Sequence, residues 1–171
     1  RLYARIPFEK KKKRNPFKKN RKAILITSLK TSFFYRESIN KLRSKVEASS
    51  QKHGYTSFMI TSAHENEGKS SVGANLALAL AKNGHKTILV DMDFRKPSLN
   101  KIFELKTNTS LNNAIEGTSH WKSQVVTLDH PGLDLLPCQQ DLKNSEKLTG
   151  SNRLKAIVEE LEEEYDYVIV D

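Results

Sequence analysis

Glu67-Gly68-Lys69-Ser70-Ser71 is the run in this chain best equipped for chemistry. A glycine lets backbone N–H groups close around phosphate oxygens without a Cβ in the way. The lysine beside it supplies a cation for the β- and γ-phosphates, and a serine hydroxyl is a ligand for Mg²⁺. A helix starting there adds about half a positive charge facing the same anion. The usual phosphate loop, G-x-x-x-x-G-K-[ST], asks for glycine where this chain has Ala63. A G-K-S triplet alone also fits a polar loop capping an ordinary helix.

Carboxylates complete the set. Asp91 and Asp93 follow the apolar run Ile88-Leu89-Val90, and Asp171 follows Val168-Ile169-Val170. Acids at the carboxyl ends of parallel strands face the crevice where such sheets bind ligands. There they hold Mg²⁺ through its waters or take a proton from an attacking hydroxyl.

The elements that must position these groups are legible from apolar spacing. Thr56–Ser62 is a short β-prone run, Val72–Ala81 is a small-residue helix closed by Asn83-Gly84, and Lys86–Asp91 is a strand buried on both faces. Together they make a β-loop-α-β unit, which predicts a right-handed parallel crossover. Upstream, Arg36–Ser49 carries Ile39, Leu42 and Val46 as one apolar stripe on a charged helix. Downstream, Leu111–Glu116 reads as a short helix and Leu133–Pro137 as a third strand. Ser151–Tyr165 is an amphipathic helix burying Leu154, Ile157, Val158 and Leu161, and Tyr167–Val170 is the next strand. Strands alternating with helices predict an α/β fold of the P-loop NTPase type, a doubly wound parallel sheet with flanking helices.

Charge divides the chain in two. Residues 1–22 hold eleven Lys and Arg against the single acid Glu9, so this leader carries +10 and the remaining residues −1. A nearly neutral body argues against a nucleic-acid-binding domain, and no nucleic-acid partner is expected. The leader, broken by Pro7 and Pro16, reads as an extended juxtamembrane segment on an anionic leaflet, with Phe8 and Phe17 dipping into the interface. A solvated linker is the alternative. Residues 23–171 form the domain. Cys138, the only cysteine, excludes an internal disulfide and fits a reducing compartment. No run approaches the length of a membrane span. The chain starts at Arg1 and stops at Asp171 inside an apolar run, so it is expected to be part of a longer protein.

Thr87–Ser98 (TILVDMDFRKPS), with SAHENEGKSS and DYVIVD, closely resembles the bacterial tyrosine kinases, P-loop autokinases coupled to capsular and exopolysaccharide export. The resemblance covers roughly Arg36 to Asp171, and Ile6-Pro7 also looks like the family's linker after a membrane helix. It implies an ATP- and Mg²⁺-dependent protein-tyrosine autokinase at the cytoplasmic face of the bacterial inner membrane. By resemblance, Glu67, Gly68, Lys69, Ser70 and Ser71 bind the nucleotide. Lys69, Asp91 and Asp93 are the catalytic group, with Asp91 nearest the attacking hydroxyl, and Ser70, Asp91 and Asp171 serve the metal. The implied partners are a membrane activator domain, fused upstream or separate, and further copies of the chain in a ring.

Three departures from the family pattern stand out. The ring motif E-x-x-R-x-x-R reads Glu37, Asn40, Arg43, so one arginine is missing; Lys41 is a partial substitute, leaving Glu37, Lys41 and Arg43 as the expected oligomer interface. Glu65 and Asn66 stand where the family often has Pro and Gly. The family's C-terminal half-sheet and tyrosine cluster have no counterpart, which makes the expected domain truncated. The rival readings are a division-site or partition-type ATPase switch and an inactive membrane-associated scaffold. The first needs a signature lysine where this chain has His64, a side chain mostly neutral at pH 7.

Overall fold

The computed structural model describes residues 4–7, 24–29, 31–64 and 66–171. Most of the basic leader, and Glu65 in the phosphate loop, lie outside the described residues. In chain order the elements are α1 (Phe33–His53), β1 (Ser57–Met59), α2 (Lys69–Lys82), β2 (Thr87–Val90), α3 (Leu99–Ile102) and α4 (Leu111–Glu116). A 3-10 turn at Trp121–Gln124 leads into β3 (Val126–Thr127), β4 (Leu133–Leu136), α5 (Ser145–Thr149), α6 (Asn152–Glu164) and β5 (Tyr167–Val170). No helix among the described residues is long and apolar enough to cross a membrane.

Local signals set most boundaries. The Ser32 hydroxyl accepts from the Tyr35 N–H to open α1, and Gly54, with φ 73°, closes it in the left-handed conformation. Ser110 and Ser151 cap α4 and α6 in the same manner. The helix expected over Arg36–Ser49 is therefore longer at both ends, because its caps lie outside the apolar stripe.

The sheet has the order β1-β5-β2-β4-β3, parallel except for the β3–β4 pair. β1 and β2 run parallel as expected, but β5 lies between them. The short antiparallel edge β3, α3, α5 and the 3-10 turn escaped the sequence pattern. β1 is also shorter than the Thr56–Ser62 run: the Ile60 N–H still reaches Val170 O at 2.8 Å, after which the chain leaves the sheet to build the loop.

Both faces are covered. Ile88, Val90, Val168, Val170 and Leu136 pack toward α4 and α6, whose buried residues include Leu111, Leu154, Ile157 and Leu161. Leu89, Ile169, Leu133 and Leu135 pack toward α2, where alanines at 74 and 77 alternate with Leu76 and Leu80. α1 packs outside α2 through Tyr35 and Ile39 against Ala79. Uninterrupted apolar strands need this two-sided cover.

One buried polar residue ties the N-terminal segment to this scaffold. Asn75, fully buried in α2, accepts from the Ile26 N–H at 2.7 Å; its amide nitrogen lies 2.9 Å from Ile24 O, 2.7 Å from Ser71 O and 3.2 Å from the Tyr35 hydroxyl. Asn75→Ala strands those backbone groups without a partner and is expected to cost about 2–4 kcal/mol. A lower urea midpoint with an unchanged slope is the check.

Candidate active site

Placing β5 between β1 and β2 sets three strand ends side by side, and each delivers one part of the site. The loop after β1 ends at Gly68, whose φ of 91° is in the left-handed region where a side chain is strained. Nothing lies within 4 Å of a Cβ built there, so the demand for glycine is conformational rather than steric. Asn66 is also left-handed, at φ 63°. Within the loop, the Ser62 hydroxyl donates to His64 O and the Glu67 carboxylate accepts from the His64 N–H. The helical ladder of α2 opens with Val72 N–H donating to Gly68 O, and its first turn carries no acid. A phosphate arriving there meets oriented amides and no like charge from the helix.

Lys69, at the head of α2, reaches across to both other strand ends. Its ammonium donates to Asp93 at 2.9 Å and to Asp171 at 3.3 Å. Burial works against the lysine charge, but the hydrogen bond to Asp93 and the charges of Asp171 and Asp93 outweigh it, and its pKa is raised. Burial likewise opposes ionisation of Asp93, yet the Lys69 bond and the Lys96 N–H hold its carboxyl below the ordinary range. Asp171 is locked into the sheet by its own backbone, donating to Val90 O and accepting from the Met92 N–H. Its side chain is fully buried, and Oδ2 has no hydrogen-bond partner.

That orphaned oxygen and the Asp93 carboxylate, on the two acids joined to Lys69, are hard oxygen donors of the kind Mg²⁺ prefers, and Ser70 follows Lys69 on α2 with a third. Among the described residues no group of three or more His, Cys, Asp or Glu forms a metal cage. A metal here fits the Mg²⁺ pattern of one or two carboxylates, with water and phosphate completing the shell.

Asp91 has a different environment although it is only two residues from Asp93. It is 1% exposed. Oδ1 accepts from the Asp93 N–H at 3.1 Å, and Oδ2 accepts from the Ser98 and Leu99 N–H groups, both at 3.2 Å, at the start of α3. The Cys138 thiol also donates to it. Burial raises the Asp91 pKa to about 6, Asp171 nearby adds to this, and the backbone donors only partly offset it. Burial also raises the Cys138 thiol, so it is a donor rather than a nucleophile.

The structure thus brings Lys69, Asp93 and Asp171 together, with Ser70 and Ser71 on the same helix start and Asp91 buried next to them through the Asp93 N–H. Glu37, Lys41 and Arg43 form a separate group on α1. There Glu37 accepts from Asn40, and Arg43 binds both oxygens of Glu47 at 2.8 and 3.0 Å. Glu47 also bonds Asn83 and His85, so Arg43 is committed within its own subunit. Cys138, Ser98 and Leu99 were not anticipated. The register Val90↔Leu136 places the residues after β4 beside Asp91, and applying the strand-end rule to β4 would have found Cys138.

Comparison with known proteins matches this geometry to a family. The AAA domain family matches residues 59–171, from the end of β1 to the last acid of the site. The tyrosine-protein kinase YwqD of Bacillus subtilis (strain 168) is 33% identical over 135 residues, covering 79% of this chain and 57% of that protein. The chain belongs to the bacterial tyrosine kinases. The succinoglycan biosynthesis transport protein ExoP of Rhizobium meliloti (strain 1021) is 32% identical over 115 residues, 66% of this chain and 15% of that protein. The kinase domain of the Escherichia coli tyrosine kinase ETK superposes with a TM-score of 0.87 at 22% identity, covering 100% of this chain and 68% of that one, and shows the common fold. The fold is that of the P-loop NTPases, which implies ATP binding. This bacterial tyrosine kinase chain spans little more than half the length of YwqD.

Asp91 gives the site a measurable pH signature. Its folded-state pKa of about 6 lies above the ordinary 3.8, so its stabilising contribution is full below about pH 4 and is lost as the pH rises through about 6. The shift corresponds to roughly 3 kcal/mol. Asp93, with a lowered pKa, acts in the opposite sense and loses its contribution as the pH falls. Carboxyl ¹³C NMR is expected to show Asp91 titrating near pH 6; a midpoint at the ordinary carboxylate value would contradict the buried geometry.

Proposed function

We propose that the whole protein is an ATP-dependent protein-tyrosine autokinase that regulates capsular or exopolysaccharide synthesis and export. The observation carrying this reading is the Lys69 ammonium held between Asp93 and Asp171 at the start of α2. A polyphosphate arriving with Mg²⁺ would take the ammonium from these carboxylates, the metal compensating the buried Asp171 that the lysine gives up.

In this reading the Gly68–Ser71 amides and Lys69 bind and orient the phosphates of ATP. Ser70 and Asp171, with Asp91 through water, would hold Mg²⁺, which supplies charge neutralisation on the transferring phosphoryl group. Asp91 takes the proton from the tyrosine hydroxyl as its oxygen bonds to the γ-phosphorus and the bond to the ADP oxygen breaks. Serving in that role requires Asp91 to give up the Ser98 and Leu99 amides. Asp93 keeps Lys69 aligned.

The same proposal places the protein on the cytoplasmic face of the inner membrane with a membrane activator, fused upstream or separate. It assembles copies through Glu37 and Lys41, with Arg43 joining only where it leaves Glu47, and lays its basic leader on the anionic leaflet. ExoP, a transport protein of polysaccharide biosynthesis, supports the link to export.

Phosphotyrosine formation by the full-length protein with Mg-ATP is the test. Lys69→Ala is expected to lower it by about a thousandfold or more, because the phosphoryl charge loses its main side-chain partner. Asp91→Ala should abolish signal while leaving ATP bound. Steady phosphate release without phosphotyrosine would move the reading to an ATPase switch, and the absence of both activities would leave a scaffold.

A further inference from the structure

Tyr35, Tyr55, Tyr165 and Tyr167 are the tyrosines among the described residues; Tyr3 lies outside them. Three of these four are locked into the fold. Tyr35 is 6% exposed, and its hydroxyl accepts from the Asn75 amide at 3.2 Å. Tyr165 is 8% exposed and donates to Asp134 at 2.8 Å, with the Lys86 ammonium over its ring. Tyr167 is 5% exposed and packs against the rings of both Phe58 and His85. Tyr55 alone among the four is open to solvent, at 55%.

The backbone around Tyr55 explains that exposure. Gly54 ends α1 in the left-handed conformation and β1 begins only at Ser57, so Tyr55 sits on the connection between them. Residues 51–55 are exposed one after another, and the Tyr55 ring stacks on His53 at 5.3 Å. A surface connection of this kind can enter another molecule's cleft without disturbing a core. Charge favours such an approach. Lys52 stands in the last turn of α1 beside the ring, whereas the crevice around Lys69 gathers Asp91, Asp93 and Asp171.

We propose that Tyr55 is a phosphoacceptor of this kinase, modified by the active site of a second copy. The inference rests on the kinase reading and names a site of transfer for it. The register excludes transfer within one copy. Ser57 pairs with Val168 and Met59 with Val170, so the level of Asp171 lies five residues beyond Tyr55 along β1. That is about 16 Å of extended chain, more than a tyrosine side chain spans. Lys69, which binds Asp171, stands at that far end. In the second copy, the Tyr55 phenolic oxygen bonds to the γ-phosphorus as the bond from that phosphorus to the ADP oxygen breaks. The phenolic proton passes to the Asp91 carboxylate of the copy that holds the nucleotide, and ADP leaves.

Mass-spectrometric mapping of phosphotyrosine on the full-length protein, after incubation with Mg-ATP, tests this. The peptide holding Tyr55 is expected to carry phosphate in the parent. Full-length Lys69→Ala, co-expressed and co-purified with full-length Tyr55→Phe, supplies the second arm. Only the Lys69→Ala copies then possess Tyr55, and only the Tyr55→Phe copies can transfer phosphate, so a Tyr55 phosphopeptide records transfer between copies. Tyr55→Phe removes one exposed hydroxyl and keeps the ring, and ATP binding equal to the parent's shows that it folds. Lys69→Ala expressed alone should carry no phosphate on Tyr55; phosphate there would come from another enzyme and overturns the proposal. Phosphotyrosine at other positions, Tyr3 included, with Tyr55 unmodified overturns the Tyr55 assignment and leaves the kinase reading intact. Absence of phosphotyrosine from the parent overturns both. Phosphate on Tyr55 of the parent but none in the mixed preparation overturns transfer between copies.

Discussion

The Lys69 ammonium is the contact on which the carboxyl end of the sheet depends. β5 delivers a carboxylate whose side chain is fully buried, and the chain after β2 delivers two more. Three acids gathered at one pole of a sheet repel one another in a medium that screens poorly, and an unpaired buried charge is costly. One cation, reaching from the neighbouring strand's loop, compensates Asp93 and Asp171 together. The topology makes this possible: only with β5 between β1 and β2 does a lysine just after the β1 loop stand within reach of both.

The division of labour between Asp91 and Asp93 follows from the same geometry. Asp91 ends the strand and turns inward, where the amides at the start of α3 and a thiol are its donors. Two residues on, the chain has left the sheet and Asp93 faces Lys69. Burial without a cation raises one carboxyl, and partial exposure beside a cation lowers the other. Neighbouring carboxyls whose environments drive their pKa values apart are the physical basis of separate acid–base and electrostatic roles. The D-x-D spacing achieves this because one intervening residue is enough to pass from sheet interior to loop.

Much of this was legible from the chain because the signals were local. Leu111–Glu116 and Tyr167–Val170 match the structure to the residue, the first bounded there by the Ser110 and Gly117 caps and the second an apolar run that needs two covered faces. Apolar strands ending in carboxylates located Asp91, Asp93 and Asp171. Signals that depend on tertiary context were not legible. Val126–Thr127 is too short to show alternation, and its antiparallel pairing exists because Leu135 and Asp134 offer an edge. Phe33 and Phe34 lie in a stretch with no clear apolar period, and the Ser32 cap puts them on the first turn of α1, exposed. The partnership of Cys138 with Asp91 spans two strands and needs the register to be seen.

The structure also ranks the departures from the family pattern. Asn66, where glycine is common, adopts φ 63°, a conformation that asparagine tolerates far better than branched or bulky residues. Asparagine therefore takes this conformation at small cost. Asn40, where an arginine is expected, bonds Glu37 on its own helix and offers no forked cation to a neighbour. Arg43 keeps its charge but donates to both oxygens of Glu47, which is in turn held by Asn83 and His85. An assembly through this face must therefore either break that network or rely on Glu37 and the exposed Lys41. Asn66 and Gly68 supply left-handed residues to the phosphate loop, whereas the α1 face lacks one cation of the family pattern and commits another within the subunit.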